Sequence, residues 1–517
     1  MTLPPPSEWP ADGPVPERSA DVLRLRAAAT PEATALVEAD SGETLTYEKF
    51  DRRVAGWSEG LAKVVSPEAS RIGVALSTGI DFATAYFAVV RQNWTAVPLN
   101  LREATDTVGE QAEAADLDAV VCADETAEMA SAVAPPAANV VSVDDSETGG
   151  VRRLEPGSAS APSDGDGRTA SADTERLVLF TSGTTGDPKG VRLTRGNLLA
   201  SAVGSAHRLG VDAGDRWLVC LPMYHMGGLA PLVRSTLYGT TTVLQREFDA
   251  AATATVLDER DVTGVSLVPT QLKRLLDAGW EPPASLRFVL LGGAPARPAL
   301  IERCEAADVP VYPTYGTTET ASQITTATPA EAFDAPSTVG RPLRETTLAV
   351  LDDGSDCDPG TTGELVVDGP TVTPGYLDAT QTEAAFDGRG FHTGDVGYRD
   401  EAGCYYVVGR IDDRIVTGGE NVHPSTVVRA LEAQSRVEAA AVVGIPDGEW
   451  GERVAAVVVP ATGDCVAEGV RERASEALAD FAVPKTISVV ETLPRTASGT
   501  VDRERVRELL TGDGPDR

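Results

Sequence analysis

Residues 176–194 read RLVLFTSGTTGDPKGVRLT. A short apolar run, Leu177 to Phe180, gives way to hydroxyls, glycines and one lysine. An apolar run bounded by turn residues reads as a buried strand. The loop after it exposes backbone N–H groups where there is no Cβ, and its hydroxyls and single ammonium add further donors. Such a loop suits phosphate. The chain holds five lysines, Lys49, Lys63, Lys189, Lys273 and Lys485, and one of them sits here. The loop is not a Walker A sequence, which needs G-x-x-x-x-G-K-[ST]. Pro188 stands where the second glycine should be, and Gly190 follows the lysine. On its own, a glycine-rich turn also fits a purely structural role.

The pattern around the loop sets the fold class. "RIGVAL" (71–76), "TAVPLN" (95–100) and "AVVCAD" (119–124) read as strands, and "ATAYFAVVRQN" (83–93) as a helix between two of them. This βαβ rhythm predicts a largely parallel sheet with helices on both faces. Residues 144–176 are rich in Gly, Ser, Asp and Pro and read as a mobile loop. The rhythm resumes with "WLVCLP", "TTTVLQ", "GVSLVPT", "RFVLLGG" and "VPVYPTYG". Beyond Thr338, "TLAVLDD" and "GELVVDGP" lie close together between Gly and Pro turns, as in an antiparallel sheet or small barrel. "GRIDDRIVTGGENVHP" is polar and turn-rich. The strands and helices after it predict a compact α+β unit. The expectation is an α/β protein in three parts. A large domain, 1–409, has mostly parallel sheets flanked by helices and an antiparallel subdomain at 338–409. A joint follows at 410–413, then a small α+β lid at 414–517.

With 517 residues, more than one domain is expected. No run approaches the roughly 18 apolar residues of a membrane span. The start, "MTLPPPSEWPADGPVPERS", reads as a proline-stiffened lead-in and not a signal peptide. Six scattered cysteines without a C-x-x-C pair, and four histidines, speak against a zinc site or disulfide framework and for a reducing, cytoplasmic setting. Lys and Arg number 44 against 78 Asp and Glu, a net charge of −34. Such a surface repels nucleic acid and anionic membranes. Acid excess with arginine almost replacing lysine resembles the proteome style of salt-loving archaea, where high salt screens the self-repulsion.

The loop has company. In order follow "PMYHMGG" (222–228), "LGGAPAR" (291–297), "YGTTET" (315–320), "HTGDVG" (392–397), "GRIDD" (409–413), "GGEN" (418–421) and "PRTASG" (494–499). This series resembles the acyl-adenylate-forming superfamily of acyl- and aryl-CoA ligases, luciferases and peptide-synthetase adenylation domains, from about residue 20 onward. The resemblance implies two half-reactions, with ATP, Mg²⁺ and CoA: a carboxylate attacks the α-phosphate of ATP, and a thiol then displaces AMP. Charge neutralisation and positioning suit in-line attack on a polyphosphate.

It also implies roles. Thr181, Ser182, Gly183, Thr184, Thr185, Gly186 and Lys189 would grip the β- and γ-phosphates. Thr318 would contact the α-phosphate and Glu319 would hold Mg²⁺. Gly293, Ala294 and Tyr315 would border the adenine. Asp395 would bind the ribose, supported by Arg410. Asp412 matches the hinge, about which the small domain swings between the two steps. Gly418 and Gly419 would let the backbone lie along the pantetheine of CoA. His225, Arg234, Thr270 and Gly316 would line the acyl pocket, the histidine as a gate and not as a base, because the acid is already ionised. A homodimer fits the habit of the superfamily.

One position departs from the pattern. The last motif usually continues to a lysine that bridges the attacking carboxylate and the α-phosphate; here Thr500 stands in its place. Three accounts are open. Lys485, Arg495 or Arg503 supplies the charge; a bound cation in a salty cytoplasm covers part of it; or adenylation has been lost and the protein only binds nucleotide or uses acyl-AMP. Within the superfamily, residues 221–244, 290–304 and 315–326 are similar to the o-succinylbenzoate–CoA ligases of menaquinone synthesis. In that group an arginine nine residues past the histidine holds a substrate carboxylate, and Arg234 occupies that place. A planar, bidentate, permanently charged guanidinium suits a carboxylate. A serine or threonine two past the histidine is common there, whereas this chain has Gly227. The alternatives are another aryl- or medium-chain acyl-CoA ligase and an adenylation module loading a carrier protein in trans.

Overall fold

The computed structural model describes residues 21–66, 68–157, 170–181, 188–461, 467–495 and 501–511. The chain divides into two compact units. The first comprises Met1–Leu348, Val367–Phe391 and Gly403–Tyr405; the second comprises Ala349–Val366, His392–Ala402 and Tyr406–Arg517.

The opening stretch forms a hairpin in the first unit. Strand Glu175–Thr181 pairs antiparallel with Lys189–Thr194, with Phe180 opposite Gly190 and Thr181 opposite Lys189. The second strand is an addition to the sequence reading. It means that the loop joins two strands, and the helix Arg195–Leu209 starts only after the second, capped by Thr194 and Asn197. Glu175 anchors the hairpin by pairing with Arg71 Nε at 3.0 Å and Arg192 Nε at 2.6 Å.

This hairpin edges a seven-stranded sheet. Its order is Arg152–Arg153, Asn139–Ser142, Ala119–Cys122, Arg71–Ala75, Thr95–Pro98, Glu175–Thr181, Lys189–Thr194. Every pairing but the hairpin is parallel. Ile72 and Val74 join one core cluster while Ala75 joins another with Val97 and Val120. Burial on both faces explains why these strands read as continuous apolar runs. The helix expected at 83–93 spans Ile80–Arg91, starting earlier than expected, with Gly79 as its N-cap. Of the segment 144–176, residues 158–169 lie outside the described residues, and Arg152–Arg153 adds a short edge strand.

A nine-stranded sheet carries the rest of this unit. Its order is Arg341–Pro342, Thr325–Thr326, Val311–Tyr315, Phe288–Leu291, Gly264–Leu267, Arg216–Val219, Thr241–Leu244, Thr34–Glu38, Thr44–Thr46. The six central strands are parallel. As expected beyond Thr338, residues 347–410 form a small antiparallel sheet.

In the second unit, Val437–Asp447 and Gly451–Pro460 make a long antiparallel pair. Val442, Val454, Ala456 and Val458 meet helices Pro424–Glu432 and Ala467–Ala474, while Val443, Ile445, Ala455 and Val457 meet helix Arg503–Thr511. The alternation of period 2 sends successive side chains to opposite cores. Thr486–Val489 adds in parallel, and the hairpin Ile415–Thr417/Glu420–Val422 completes the sheet. No helix among the described residues is long and apolar enough to cross a membrane.

Candidate active site

The carboxyl ends of four adjacent parallel strands gather the sequence motifs. Arg216–Val219 leads to His225, Gly264–Leu267 to Thr270, Phe288–Leu291 to Gly293 and Ala294, and Val311–Tyr315 to Gly316, Thr318 and Glu319. Ligands of open α/β sheets bind beyond the carboxyl ends of the strands.

Backbone demands shape these loops. Gly293 has φ +78, a conformation natural to glycine. A Cβ on Gly316 would lie 1.6 Å from the Ser322 carbonyl oxygen, so no side chain fits there. Thr318–Thr320 forms a 3₁₀ turn closed by Thr317 and Thr320, and the next two residues, Ala321 and Ser322, have φ +52 and +111. Positive φ at residues other than glycine costs energy and clusters at functional sites. A buried chain of bonds holds this return: Arg234 Nη2 donates to Ser201 Oγ at 3.1 Å, and Ser201 Oγ donates to the Ala321 carbonyl at 2.6 Å.

Arg234 is 2% exposed. Its guanidinium lies 5.8 Å over the Trp217 ring, and burial pulls it down to about 10. Among the described residues no acidic side chain pairs with it, and Tyr238 is the ionisable neighbour that opposes the shift. His225 caps helix Met226–Tyr238, with its ring edge-on to Tyr224 at 4.8 Å. Burial holds its imidazole below the ordinary value, with Glu103 opposing, so it is neutral at pH 7. Thr270 is exposed, on a helix start closed by Gln271 accepting from the Val268 N–H. Gly293 and Ala294 are exposed and Tyr315 is half-buried.

Lys189 and Glu319 are linked through a residue that sequence reasoning missed. Tyr376, 4% exposed, donates its hydroxyl to Glu319 Oε1 at 2.9 Å. Its ring centroid lies 5.6 Å from Lys189 Nζ. The segment around it is laced to the hairpin: Arg192 N–H donates to the Gly375 carbonyl and Leu377 N–H to the Gly190 carbonyl. Thr373 N–H donates to the Glu319 carbonyl at 2.7 Å, and the Thr373 hydroxyl bonds the Arg192 carbonyl. Asn197 Nδ2 donates to the carbonyls of Pro370 and Val372. The one available signal was "TPGYL" (373–377), a Pro-Gly turn before an aromatic residue. Thr181 ends its strand opposite Lys189. Ser182, Gly183, Thr184, Thr185, Gly186 and Thr500 lie outside the described residues.

Among the described residues no group of three or more His, Cys, Asp or Glu side chains is set to hold a metal. Glu319 has one oxygen engaged by Tyr376, and Oε2 carries no hydrogen bond among the described residues. A single hard carboxylate fits Mg²⁺, which commonly takes one or two carboxylates together with substrate phosphates.

The second unit brings together another predicted pair. Arg410 Nη1 donates to Asp395 Oδ1 at 3.2 Å, and the Asp395 N–H donates to Thr393 Oγ1. Gly418 and Gly419, with φ +61 and +86, form the two-residue turn of the hairpin Ile415–Thr417/Glu420–Val422. Positive φ at both central residues matches the twist of paired strands. Gly418 packs on Trp450, and Lys485 Nζ lies 3.5 Å from the Trp450 ring centroid. Asp412 is exposed, and its neighbour Asp413 pairs with Arg503. Thus Lys485 and Arg503, two of the cations offered for the missing lysine, are each engaged within this unit. Arg495 forms an antiparallel bridge with Val501 across residues 496–500.

Comparison with known proteins bears on this geometry. Residues 23–377 match the family described as AMP-binding enzyme, and residues 429–500 match the AMP-binding enzyme C-terminal domain. A 2-succinylbenzoate–CoA ligase of Bacillus mycoides is 36% identical over 491 residues, covering 94% of this chain and 98% of that one. The o-succinylbenzoate CoA synthetase of Bacillus subtilis, solved with its acyl-adenylate intermediate, superposes with a TM-score of 0.86 at 30% identity, covering 95% of this chain and 99% of that one. The same enzyme with ATP and magnesium gives 0.85 at 30% identity, with the same coverage.

Proposed function

The chain belongs to the AMP-binding enzyme family, and we propose that it is an ATP-dependent, AMP-forming carboxylate–CoA ligase acting on 2-succinylbenzoate. The observation that carries this reading is the gathering of the motif loops at one sheet end, with Lys189 and Glu319 joined through Tyr376. A cation for the polyphosphate and a carboxylate for Mg²⁺ then stand together. The names of the relatives support the choice of acid.

In the first half-reaction a carboxylate oxygen of the acid attacks the α-phosphorus of ATP. The bond from that phosphorus to the bridging oxygen breaks, and pyrophosphate leaves with the electron pair. No proton moves, since the acid is ionised at pH 7. In the second, the sulfur of CoA, its proton lost to solvent, attacks the acyl carbon, and AMP departs. Lys189 and the loop at 181–186 hold the β- and γ-phosphates, and Thr318 faces the α-phosphate. Mg²⁺, when bound, neutralises phosphate charge; Glu319 is the residue to hold it. Gly293, Ala294 and Tyr315 border the adenine, and Asp395, steadied by Arg410, accepts from the ribose hydroxyls. His225, neutral and half-buried, closes the acyl pocket with Thr270 and Gly316, and Arg234 faces the carboxylate that does not react. Residues 414–517 form a lid that swings about a hinge at 410–413, including Asp412, and brings Gly418 and Gly419 to the pantetheine. The five cysteines among the described residues are free, in keeping with work in the cytoplasm.

The test is pyrophosphate release from ATP and Mg²⁺ with 2-succinylbenzoate, benzoate or octanoate, in molar KCl. Release with 2-succinylbenzoate well above the others supports the reading, and release with none of the acids sinks it. Thr500 favours one second reading, a nucleotide-binding protein that no longer adenylates. That protein would bind ATP yet release no pyrophosphate.

A further inference from the structure

Tyr376 meets both Lys189 and Glu319. We propose that Tyr376 is a positioning residue for the first half-reaction: its hydroxyl fixes the Glu319 carboxylate with Oε2 turned free for Mg²⁺, and its ring seats the Lys189 ammonium. This rests on the reading of the chain as an ATP- and Mg²⁺-using ligase.

Five observations carry it. The hydroxyl bond to Glu319 Oε1 is 2.9 Å, within the general range for O–H···O hydrogen bonds. It is made by a residue 4% exposed, so water does not compete freely for it. The backbone of Tyr376 is itself fixed. Its N–H donates to Thr382 Oγ1 at 2.9 Å, it bridges Val191, and its neighbours are bonded to strand Lys189–Thr194. Finally, the backbone of Glu319 is held by the same segment through Thr373. A glutamate on a short 3₁₀ turn would otherwise sample several rotamers; here both its carbonyl and its carboxylate are tied to residues 373–376. Ordering a carboxylate before the cation arrives removes a loss of side-chain freedom from the binding step. A cation about 5.6 Å above a tyrosine ring also falls within the reach of cation–π attraction.

The experiment uses the full chain saturated with α,β-methylene-ATP, whose carbon bridge keeps it from donating its adenylyl group, titrated with Mn²⁺ while free Mn²⁺ is read by electron paramagnetic resonance. Nucleotide affinity in EDTA and melting temperature are measured alongside. Tyr376→Phe keeps the ring and loses the hydroxyl. It should weaken Mn²⁺ binding about tenfold, the scale of a hydrogen bond to a charged group, and leave metal-free nucleotide affinity unchanged. Tyr376→Leu should in addition weaken metal-free nucleotide binding about threefold, because Lys189 loses its ring. The double variant Tyr376→Phe/Glu319→Gln should bind Mn²⁺ no more weakly than Glu319→Gln alone, since the hydroxyl acts through that carboxylate.

Wild-type Mn²⁺ affinity in Tyr376→Phe overturns the proposal. So does a double variant whose losses simply multiply. So does a Tyr376→Phe protein that loses metal-free nucleotide binding as well, for that marks a merely structural residue. A wild type that binds nucleotide in neither condition removes the ligase reading itself, and the proposal with it.

Discussion

Arg234→Met separates a cation kept for the substrate from one kept for the fold. Burial pulls Arg234 well below the ordinary guanidinium value, to about 10. At about 1.4 kcal/mol per tenfold, burial disfavours its charged form by roughly 3–4 kcal/mol. Against this stand its bond to Ser201, worth about 1–2 kcal/mol, and its place over Trp217, worth about 0.5–2 kcal/mol. The two sides nearly cancel. Methionine fills similar space without a charge, and buried charges replaced by apolar side chains are often neutral for stability. Arg234→Met should therefore lie within about 2 kcal/mol of wild type in unfolding free energy, and Ser201 keeps its bond to Ala321. If Arg234 faces the substrate, kcat/KM for 2-succinylbenzoate should fall about 100-fold, roughly 2.7 kcal/mol. An analogue lacking the non-reacting carboxylate should be turned over unchanged. Pyrophosphate release with the two acids, beside urea unfolding, decides it. Equal losses with both acids, or a destabilisation well beyond 3 kcal/mol, would refute the assignment and leave Arg234 a structural cation.

Three further outcomes are expected. Gly316→Ala drives a Cβ into the Ser322 carbonyl; the return carrying Thr318 and Glu319 must shift, and pyrophosphate release should fall at least about 100-fold. The control Gly109→Ala, in helix Thr105–Ala114 with nothing within 4 Å, should raise stability by about 0.5–1 kcal/mol and leave activity intact. Burial tends to raise the Glu175 carboxyl, but Arg192 and Arg71 outweigh it and hold it below the ordinary range. A depressed folded value contributes stability above the unfolded value of about 4.3 and loses it as pH falls through the folded one; Glu175→Gln should therefore lower the unfolding midpoint at pH 7 and 5, with the gap to wild type closing below about pH 4. Thr500→Lys should speed pyrophosphate release in low salt about tenfold or more, because Lys485 sits on Trp450 and Arg503 on Asp413; an unchanged rate would mean that another cation already supplies the charge.

The fold was legible where apolar runs were long enough to be buried on both faces. "RIGVAL" (71–76), and in the C-terminal α+β unit "AAAVVGI" (439–445) and "VAAVVVP" (454–460), became strands because alternate side chains enter two different cores. What stayed hidden was short or polar. The strands Ile415–Thr417 and Glu420–Val422 have three residues each, too few for a period to register. Helix Arg503–Thr511 buries only Val506 and Leu510 under a charged exterior. Strand Lys189–Thr194 begins with a lysine and a glycine, and it is a strand because Glu175–Thr181 on one side and residues 375–377 on the other take up its backbone groups.

The site divides along the same line. Loops after strands carry their own mark, since Gly, Ser and Thr crowd where an apolar run ends, but Gly293, Thr318 and Glu319 were singled out only because the ordered motifs resemble those of a known family. Tyr376 had no such mark. It lies 57 residues from Glu319, on a segment whose order comes from bonds to two other parts of the chain. Its value depends on a distance and not on a spacing: a buried hydroxyl matters when a carboxylate stands 2.9 Å away, and a ring matters when an ammonium stands above it. A motif records which groups chemistry requires. Whether those groups are held still is decided by neighbours that no motif contains, and here one tyrosine bonds the Glu319 carboxylate and carries the Lys189 ammonium over its ring.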